Sequence, residues 1–387
     1  MAEYLMDTTD LTKIASAIRA KGGTSDSLVY PDGFVTAIQA IQTGTELQII
    51  VSVASGAAVT ATKGSLSVSG TSVNGTCTLV VPEEGEWMVS ATLDGETSDS
   101  NIVNVVSSYD TSLAFISALN DTSWETIRKI SDSGTGANYW SIGDRKAVTV
   151  NGTVGILVVN GTYYVYIIGF NHNSSHEGNG ITFGTFKTAL SGGTDICLVG
   201  KSYGGGSTKG DKYFNMNHSS STSAGGWKGC DLRYDVLGST NANGGNATST
   251  TATNPVENTL MAALPSDLRA VMQPMTIYTD NTGGGKDTAS YVTKTIDYLP
   301  LLAEYEIFGT RTYANSAEKN YQAQYAYYST GNSKVKCRHS STRYTARWWE
   351  RSSYSATNLS FCYVSANGDA SNYPARFSIG IAPIFRV

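Results

Sequence analysis

Apolar residues recur every three or four positions at the start of the chain. They then alternate with polar ones, and finally mix both periods to the C-terminus. Leu11, Ile14, Ala15 and Ile18 form one helical stripe, which Gly22-Gly23 stops. A turn at Tyr30-Pro31-Asp32-Gly33 precedes a second stripe of Phe34, Ile38 and Ile41, closed by Gly44. Residues 1–45 therefore read as a small helical module, too short to bury a large core without copies of itself or a partner. From 46 to 108 the chain is rich in Val, Thr and Ser with strict alternation, and turns stand at Asn74-Gly75, Glu84-Gly85 and Asp94-Gly95. This predicts a small Ig-like β-sandwich acting as a spacer, with Leu79 and Trp87 as core anchors.

Residues 109–387 read as one large α+β unit with an antiparallel sheet. Thr122-Ser-Trp-Glu125 is a capping box for a helix carrying Trp124, Ile127 and Ile130. A meander follows, in which Asn151-Gly152 and Asn160-Gly161 predict tight hairpin turns. The Gly/Ser/Asn/Thr-rich stretch 200–253 predicts loop, with 239–254 mobile. Two short helices are expected at 257–264 and 265–272, the second with Pro265 in its first turn, and another at 317–328 stacking Tyr321, Tyr325 and Tyr328. Strands return at 358–368 and 375–387.

Composition narrows the function classes. Charged residues make up only 15% of 387, against roughly 25% in ordinary proteins, with 40 Gly, 23 Tyr and 8 Pro. A disordered chain carries more charge and fewer aromatics, and the glycines keep no collagen period. Net charge is −5, and no basic block offers a footprint for phosphate, so no nucleic-acid partner is expected. No apolar run reaches bilayer length and the N-terminal residues do not read as a signal peptide, so neither membrane insertion nor signal-dependent export is expected. Five scattered cysteines, Cys77, Cys197, Cys230, Cys337 and Cys362, read as free buried thiols.

Motifs for chemistry are weak. His172, His176 and Glu177 have chelating spacing, but the surrounding Asn, Ser and Gly predict a hydrogen-bonded loop, so no metal and no cofactor are expected. No G-x-S-x-G elbow or HExxH occurs, and no carboxylate pair is marked by spacing. Gly204–Gly206 and Gly283–Gly285 lack the phosphate-loop pattern and read as flexible loops. The reading is of a protein that is not an enzyme. Between Tyr344 and Phe377, Tyr354, Tyr363 and Tyr373 alternate with Ser, Asn, Asp and Arg, the chemistry of a paratope: rigid amphipathic rings beside adaptable hydrogen-bonding groups. At least one of Trp348 and Trp349 is expected in the core.

Three stretches carry a resemblance. DLTKIASAIRAKGGTS and YPDGFVTAIQAI resemble the N-terminal module of tail-associated proteins of phages infecting gut Firmicutes. The Val/Thr-rich segment resembles the bacterial Ig-like spacers of such proteins. Trp348-Trp349-Glu350-Arg351-Ser352, Phe361-Cys362-Tyr363-Val364, Asn367-Gly368 and Gly380-Ile381-Ala382-Pro383 resemble a domain family similar to the C-type lectin-like variable proteins of diversity-generating retroelements. The resemblance implies a homotrimeric receptor-binding protein on a phage tail, within the virion. It implies N-terminal attachment to tail or baseplate proteins and a C-terminal C-type lectin-like domain that binds a host-surface protein or glycan. The implied variable face comprises Glu350, Tyr354, Ala356, Asn358, Ser360, Tyr363, Ser365, Asp369, Ser371, Tyr373 and Arg376. The calcium-binding triplets of sugar-binding C-type lectins are missing, which argues against calcium-dependent glycan chelation. A bacterial cell-surface variable adhesin and a tail-borne glycan depolymerase are the alternatives.

Overall fold

The computed structural model describes residues 8–22, 28–40, 46–113, 118–206 and 212–387. It divides into two compact units, 1–116 and 117–387. In the first unit, helices α1 (Thr8–Gly22) and α2 (Asp32–Ala40) pair through Ala15, Ile18 and Phe34, with Leu11, Leu28 and Ala37 packed around them. The second stripe starts at Asp32, inside the expected turn. Ile14 and Ile38 were expected in the apolar stripes but stand exposed; Ile41 and Gly44 lie outside the described residues. Two short helices have room for only three fully buried side chains, so the rest of each stripe faces outward.

Eight strands follow: β1 (Gln48–Ser52), β2 (Ala58–Lys63), β3 (Leu66–Thr71), β4 (Thr76–Val80), β5 (Gly85–Leu93), β6 (Glu96–Thr97), β7 (Asn101–Val105) and β8 (Ser108–Ser112). One sheet runs β4-β1-β8 and the other β3-β2-β5, with β6 and β7 also pairing β5. The alternating residues of both sheets meet in one core, where Trp87 and Leu79 are buried as expected. The indole of Trp87 still reaches a partner, donating to the Glu83 carbonyl at 3.1 Å. Asn74-Gly75 and Asp94-Gly95 take paired positive φ, the hairpin geometry those dipeptides favour. β8 pairs in parallel with β1, so the sheet runs to Ser112, beyond the expected boundary at 108.

The second unit gathers several small sheets and short helices around its own core. Strands β9 (Arg145–Val154), β10 (Leu157–Phe170), β11 (Ile181–Lys187) and the C-terminal β20 (Ile384–Arg386) form an antiparallel sheet in the order β20-β11-β10-β9. The hairpin turn lies at Gly155-Ile156, not at either Asn-Gly pair. Asn151 and Asn160 sit opposite each other within the ladder. Gly155 takes φ +63°, and a side chain there would strike the Lys212 carbonyl at 2.2 Å. With the turn at that glycine, Val148 and Val150 lie on the buried face.

Helix Trp124–Asp132 covers this sheet, its indole edge-on to Phe183 and Phe385 at 5.5 and 6.2 Å. The cap is Ser123, one residue later than expected, accepting from the Thr126 amide. The other pairings are β12 (Ile196–Cys197) with β15 (Lys336–Arg338) and β16 (Ser341–Ala346); β13 (Met275–Asp280) with β14 (Val292–Asp297); and β17 (Trp348–Ser353), β18 (Ser360–Val364) and β19 (Ala370–Pro374) in sequence. The helices at Leu260–Ala263 and Ser266–Val271 form as expected, Pro265 taking the N-cap position. The helix expected at 317–328 does not. A 3₁₀ turn at Ser316–Asn320 and a single helical turn at Ala326–Ser329 replace it, because Tyr325 donates its amide to Glu306 instead of continuing the spiral. The stretch 239–254 is tied down: Ala247 bonds the Ile296 carbonyl and Asn246 receives the Ile296 amide. All five cysteines are free and buried. Among the described residues no helix is long and apolar enough to cross a membrane.

Candidate functional site

Strand β17 is buried at every position and anchors the motif region. Both Trp348 and Trp349 are core residues, their indoles donating to the carbonyls of Lys334 at 3.0 Å and Phe214 at 2.9 Å. Arg351 is also buried. Its Nη1 donates to Glu306 at 2.6 Å and to the Leu301 carbonyl at 2.7 Å, and its Nη2 closes a second bond to Glu306. Glu304 receives three successive amides, from Thr312, Tyr313 and Ala314. Glu318 receives the Thr279 hydroxyl, the Asp280 amide and the Ser352 hydroxyl, all within 2.9 Å. Burial nonetheless holds the Glu318 carboxyl above the ordinary carboxylate range. This polar network fixes the strand on which the surface is displayed.

On the outer side, pairing fixes which residues share a face. Phe361 lies opposite Tyr373 and Tyr363 opposite Ser371, so these four project to one side of β18–β19. Tyr373 packs on Tyr363 (ring centroids 5.6 Å), Trp349 (6.3 Å) and Phe377 (4.8 Å). The Arg347 guanidinium lies over Tyr373 at 5.1 Å, and that of Arg376 over Phe377 at 5.2 Å. Tyr203 continues the row: its hydroxyl accepts the Arg347 amide at 2.8 Å, and Arg338 stacks on its ring at 4.1 Å. Arg338 also approaches the exposed Tyr344 at 5.7 Å. Cations and rings thus run Tyr344, Arg338, Tyr203, Arg347, Tyr373, Phe377, Arg376. A groove of about 360 Å³ opens beside Tyr203 and Arg338, lined also by Leu157, Lys201 and His339. Burial holds His339 below the ordinary imidazole range, and its Nδ1 accepts the Val199 amide. The ring is therefore neutral at pH 7, and the arginines with Lys201 supply the groove's positive charge.

Of the eleven residues expected on a ligand face, Tyr373 and Arg376 belong to this row. Ser371 projects on the same side of its sheet and is half-buried. Ser365 and Asp369 build the β18–β19 turn, where the Ser365 hydroxyl receives the amides of Asn367 and Asp369. Tyr354, Ala356 and Asn358 lie at the opposite end of β18, about 15 Å of strand away; Tyr354 packs edge-on to Tyr313 at 5.5 Å. Three positions are corrected. Glu350 is fully buried and neither carboxylate oxygen meets a protein donor. Ser360 and Tyr363 are buried at 6% and 8% exposure, Tyr363 supporting Tyr373 from beneath. Burial first, then the charges of Glu304 and Glu318, holds the Glu350 carboxyl well above the ordinary range. Sequence reading missed Tyr203, Arg338, Tyr344, Arg347 and Phe377. The available signal was three arginines among ten residues at 338–347 in an otherwise acidic chain.

His172 is a hydrogen-bonded histidine, as expected, although Ser174–Glu177 form a short helical turn where loop was predicted. Its Nδ1 meets Glu177 at 3.1 Å, its Nε2 meets the Ala323 carbonyl at 2.9 Å, and the ring stacks on Tyr325 at 3.6 Å. Both nitrogens are committed to the fold. Nor is the glycine cluster at 283–285 a free loop: Asp280 accepts the Thr282 and Gly283 amides and locks it.

A family described as "Domain of unknown function (DUF6273)" matches residues 210–387. No curated protein matches the chain. The matched segment contains every strand of β13–β20 and all of the cation–aromatic row except Tyr203.

Proposed function

We propose that the chain is a receptor-binding adhesin of a phage tail. In this reading the second unit adopts a C-type lectin-like fold and binds a host-surface protein or glycan through the Arg–Tyr row. The Ig-like sandwich is a spacer and the helical module attaches to the tail, in a homotrimer. The observation that carries the reading is the row itself. Three arginines and four aromatic rings are already held by cation–ring and ring–ring contacts and by the Tyr203–Arg347 hydrogen bond, above a core-locked strand, so little side-chain entropy remains to be lost on binding. Each exposed cation–ring contact contributes only about 0.5–1 kcal/mol, which suits a surface that gains strength by multivalent display. Such a protein needs no catalysis, and the sequence motifs offer none.

Deep sequencing of the codons for residues 338–377 across the source population tests the reading. A retroelement-diversified face predicts substitutions confined to adenines and concentrated at Arg338, Tyr344, Arg347, Tyr373 and Arg376, with Trp348, Trp349 and Arg351 constant. Substitutions spread evenly over buried and exposed codons, or a segment without variation, would remove the diversified-face proposal.

A further inference from the structure

Away from the stacked row, three metal-ligating side chains converge around the π-helical turn Leu232–Val236. His218, Asp231 and Asp235 each offer one atom, and these atoms lie within 4.8 Å of one another. The His218 side chain is only 3% exposed, and its Nε2 stands 3.1 Å from the Tyr213 carbonyl. A carbonyl only accepts, so Nε2 carries the hydrogen and Nδ1 is the ring atom turned toward the carboxylates. Nδ1 stands 3.4 Å from the Asp235 carboxylate, longer than the roughly 2.7–2.9 Å of a charge-assisted hydrogen bond. A metal ion between them would satisfy both atoms. Ligands about 2.0–2.1 Å from a tetrahedral ion stand about 3.3–3.4 Å apart, which is the separation of His218 Nδ1 and Asp235.

The surroundings hold these donors in place. Asp231 accepts the His218 amide at 2.7 Å and gives its own amide to the Met216 carbonyl at 3.0 Å. The Tyr213 carbonyl on Nε2 is the outer partner that metal-ligating histidines usually have. Asp235 is 27% exposed, so the cluster reaches solvent.

We propose that His218, Asp231 and Asp235 bind one divalent transition-metal ion, zinc best by donor set and spacing, with a fourth position open to water. The same segment supports the stacked row. Asn217 bonds the Ala375 carbonyl at 3.1 Å and Asn215 the Arg376 carbonyl at 3.1 Å, so the ion stiffens the backbone beneath Arg376.

The test uses the full untagged chain, stripped with a chelator and titrated with Co²⁺ and then Zn²⁺. Expected are one Co²⁺ per chain by elemental analysis, the intense visible absorption of a tetrahedral cobalt site, and its loss on adding Zn²⁺. Asp235→Asn and Asp231→Asn should each weaken Co²⁺ binding by more than tenfold while circular dichroism stays unchanged. A folded wild-type chain that takes up no stoichiometric metal would overturn the proposal. So would two folded variants that bind as the wild type does. A ¹⁵N spectrum of the zinc-supplemented protein with both His218 ring nitrogens protonated would also overturn it, replacing the ion by an imidazolium–aspartate pair.

Discussion

Glu350→Gln should stabilise the second unit at neutral pH, an unusual outcome for a change inside a motif. The glutamate is completely buried beside Glu304 and Glu318, and no protein donor reaches its carboxylate. Its folded pKa is therefore raised, while the unfolded chain keeps the ordinary value near 4.3. Where folded pKa exceeds unfolded pKa, the native state holds a proton that the unfolded chain releases. The side chain's contribution is whole below about pH 4.3 and is lost as pH rises toward the folded value. Glutamine of nearly the same shape has no proton to hold, so the variant escapes that loss. The stability difference between variant and wild type should grow by about 1.4 kcal/mol for each pH unit across the window that opens at about 4.3. Urea unfolding followed by tryptophan fluorescence reads this, since five of the six tryptophans, all but Trp87, lie in the second unit. Titrating groups that do not interact with Glu350 cancel in the difference. A difference independent of pH, or one that shrinks as pH rises, would show that the carboxylate is ionised and paired, and the argument from its isolation would fail.

Two further perturbations probe the scaffold. Glu306→Gln removes the counter-charge of buried Arg351 and should cost about 3–5 kcal/mol in urea unfolding; adding Arg351→Met to it should recover much of that loss, and a single variant within about 1 kcal/mol of wild type would contradict the pairing. Gly283→Ala should destabilise by at least about 2 kcal/mol in the same assay, because φ is +59° and a Cβ would lie 1.6 Å from the Ser223 carbonyl oxygen; an unchanged midpoint would mean that the loop is not held as described.

Sequence reading succeeded where one element decides its own fate. The alternation that buries Leu79 and Trp87 and the caps near Thr122 and Pro265 are local, and the structure keeps them with shifts of a residue or less. It failed where a distant partner decides. Both Asn-Gly pairs at 151 and 160 are good turn formers, but the turn went to Gly155, where the register buries the valines and the backbone passes close to Lys212. The tyrosines at 321, 325 and 328 keep helical spacing, yet the Glu306 carbonyl captures the Tyr325 amide from another segment and breaks the helix.

The ligand face fails for the same reason in a sharper form. Period-2 alternation puts Phe361 and Tyr363 on the side of Tyr373 and predicts that every other residue of β17 and β18 meets solvent. The second unit instead covers both faces, burying β17 at all six positions and β18 at all five, so Glu350 points into the core. Solvent contact falls instead to residues flanking the strands: Tyr344 and Arg376 are exposed, while Arg338, Arg347, Tyr373 and Tyr203, the last from a loop more than a hundred residues earlier, are half-buried. The row exists only because the loop backbone at Gly204 and Gly205 is stitched to Ser378, which brings Tyr203 within reach of both Arg338 and Arg347. A surface assembled in this way leaves its polar and aromatic positions free to change while the buried motif beneath them holds the shape. On the proposed reading, that is the division of labour a diversifying binding protein would need, with the buried motif residues as the frame of its face.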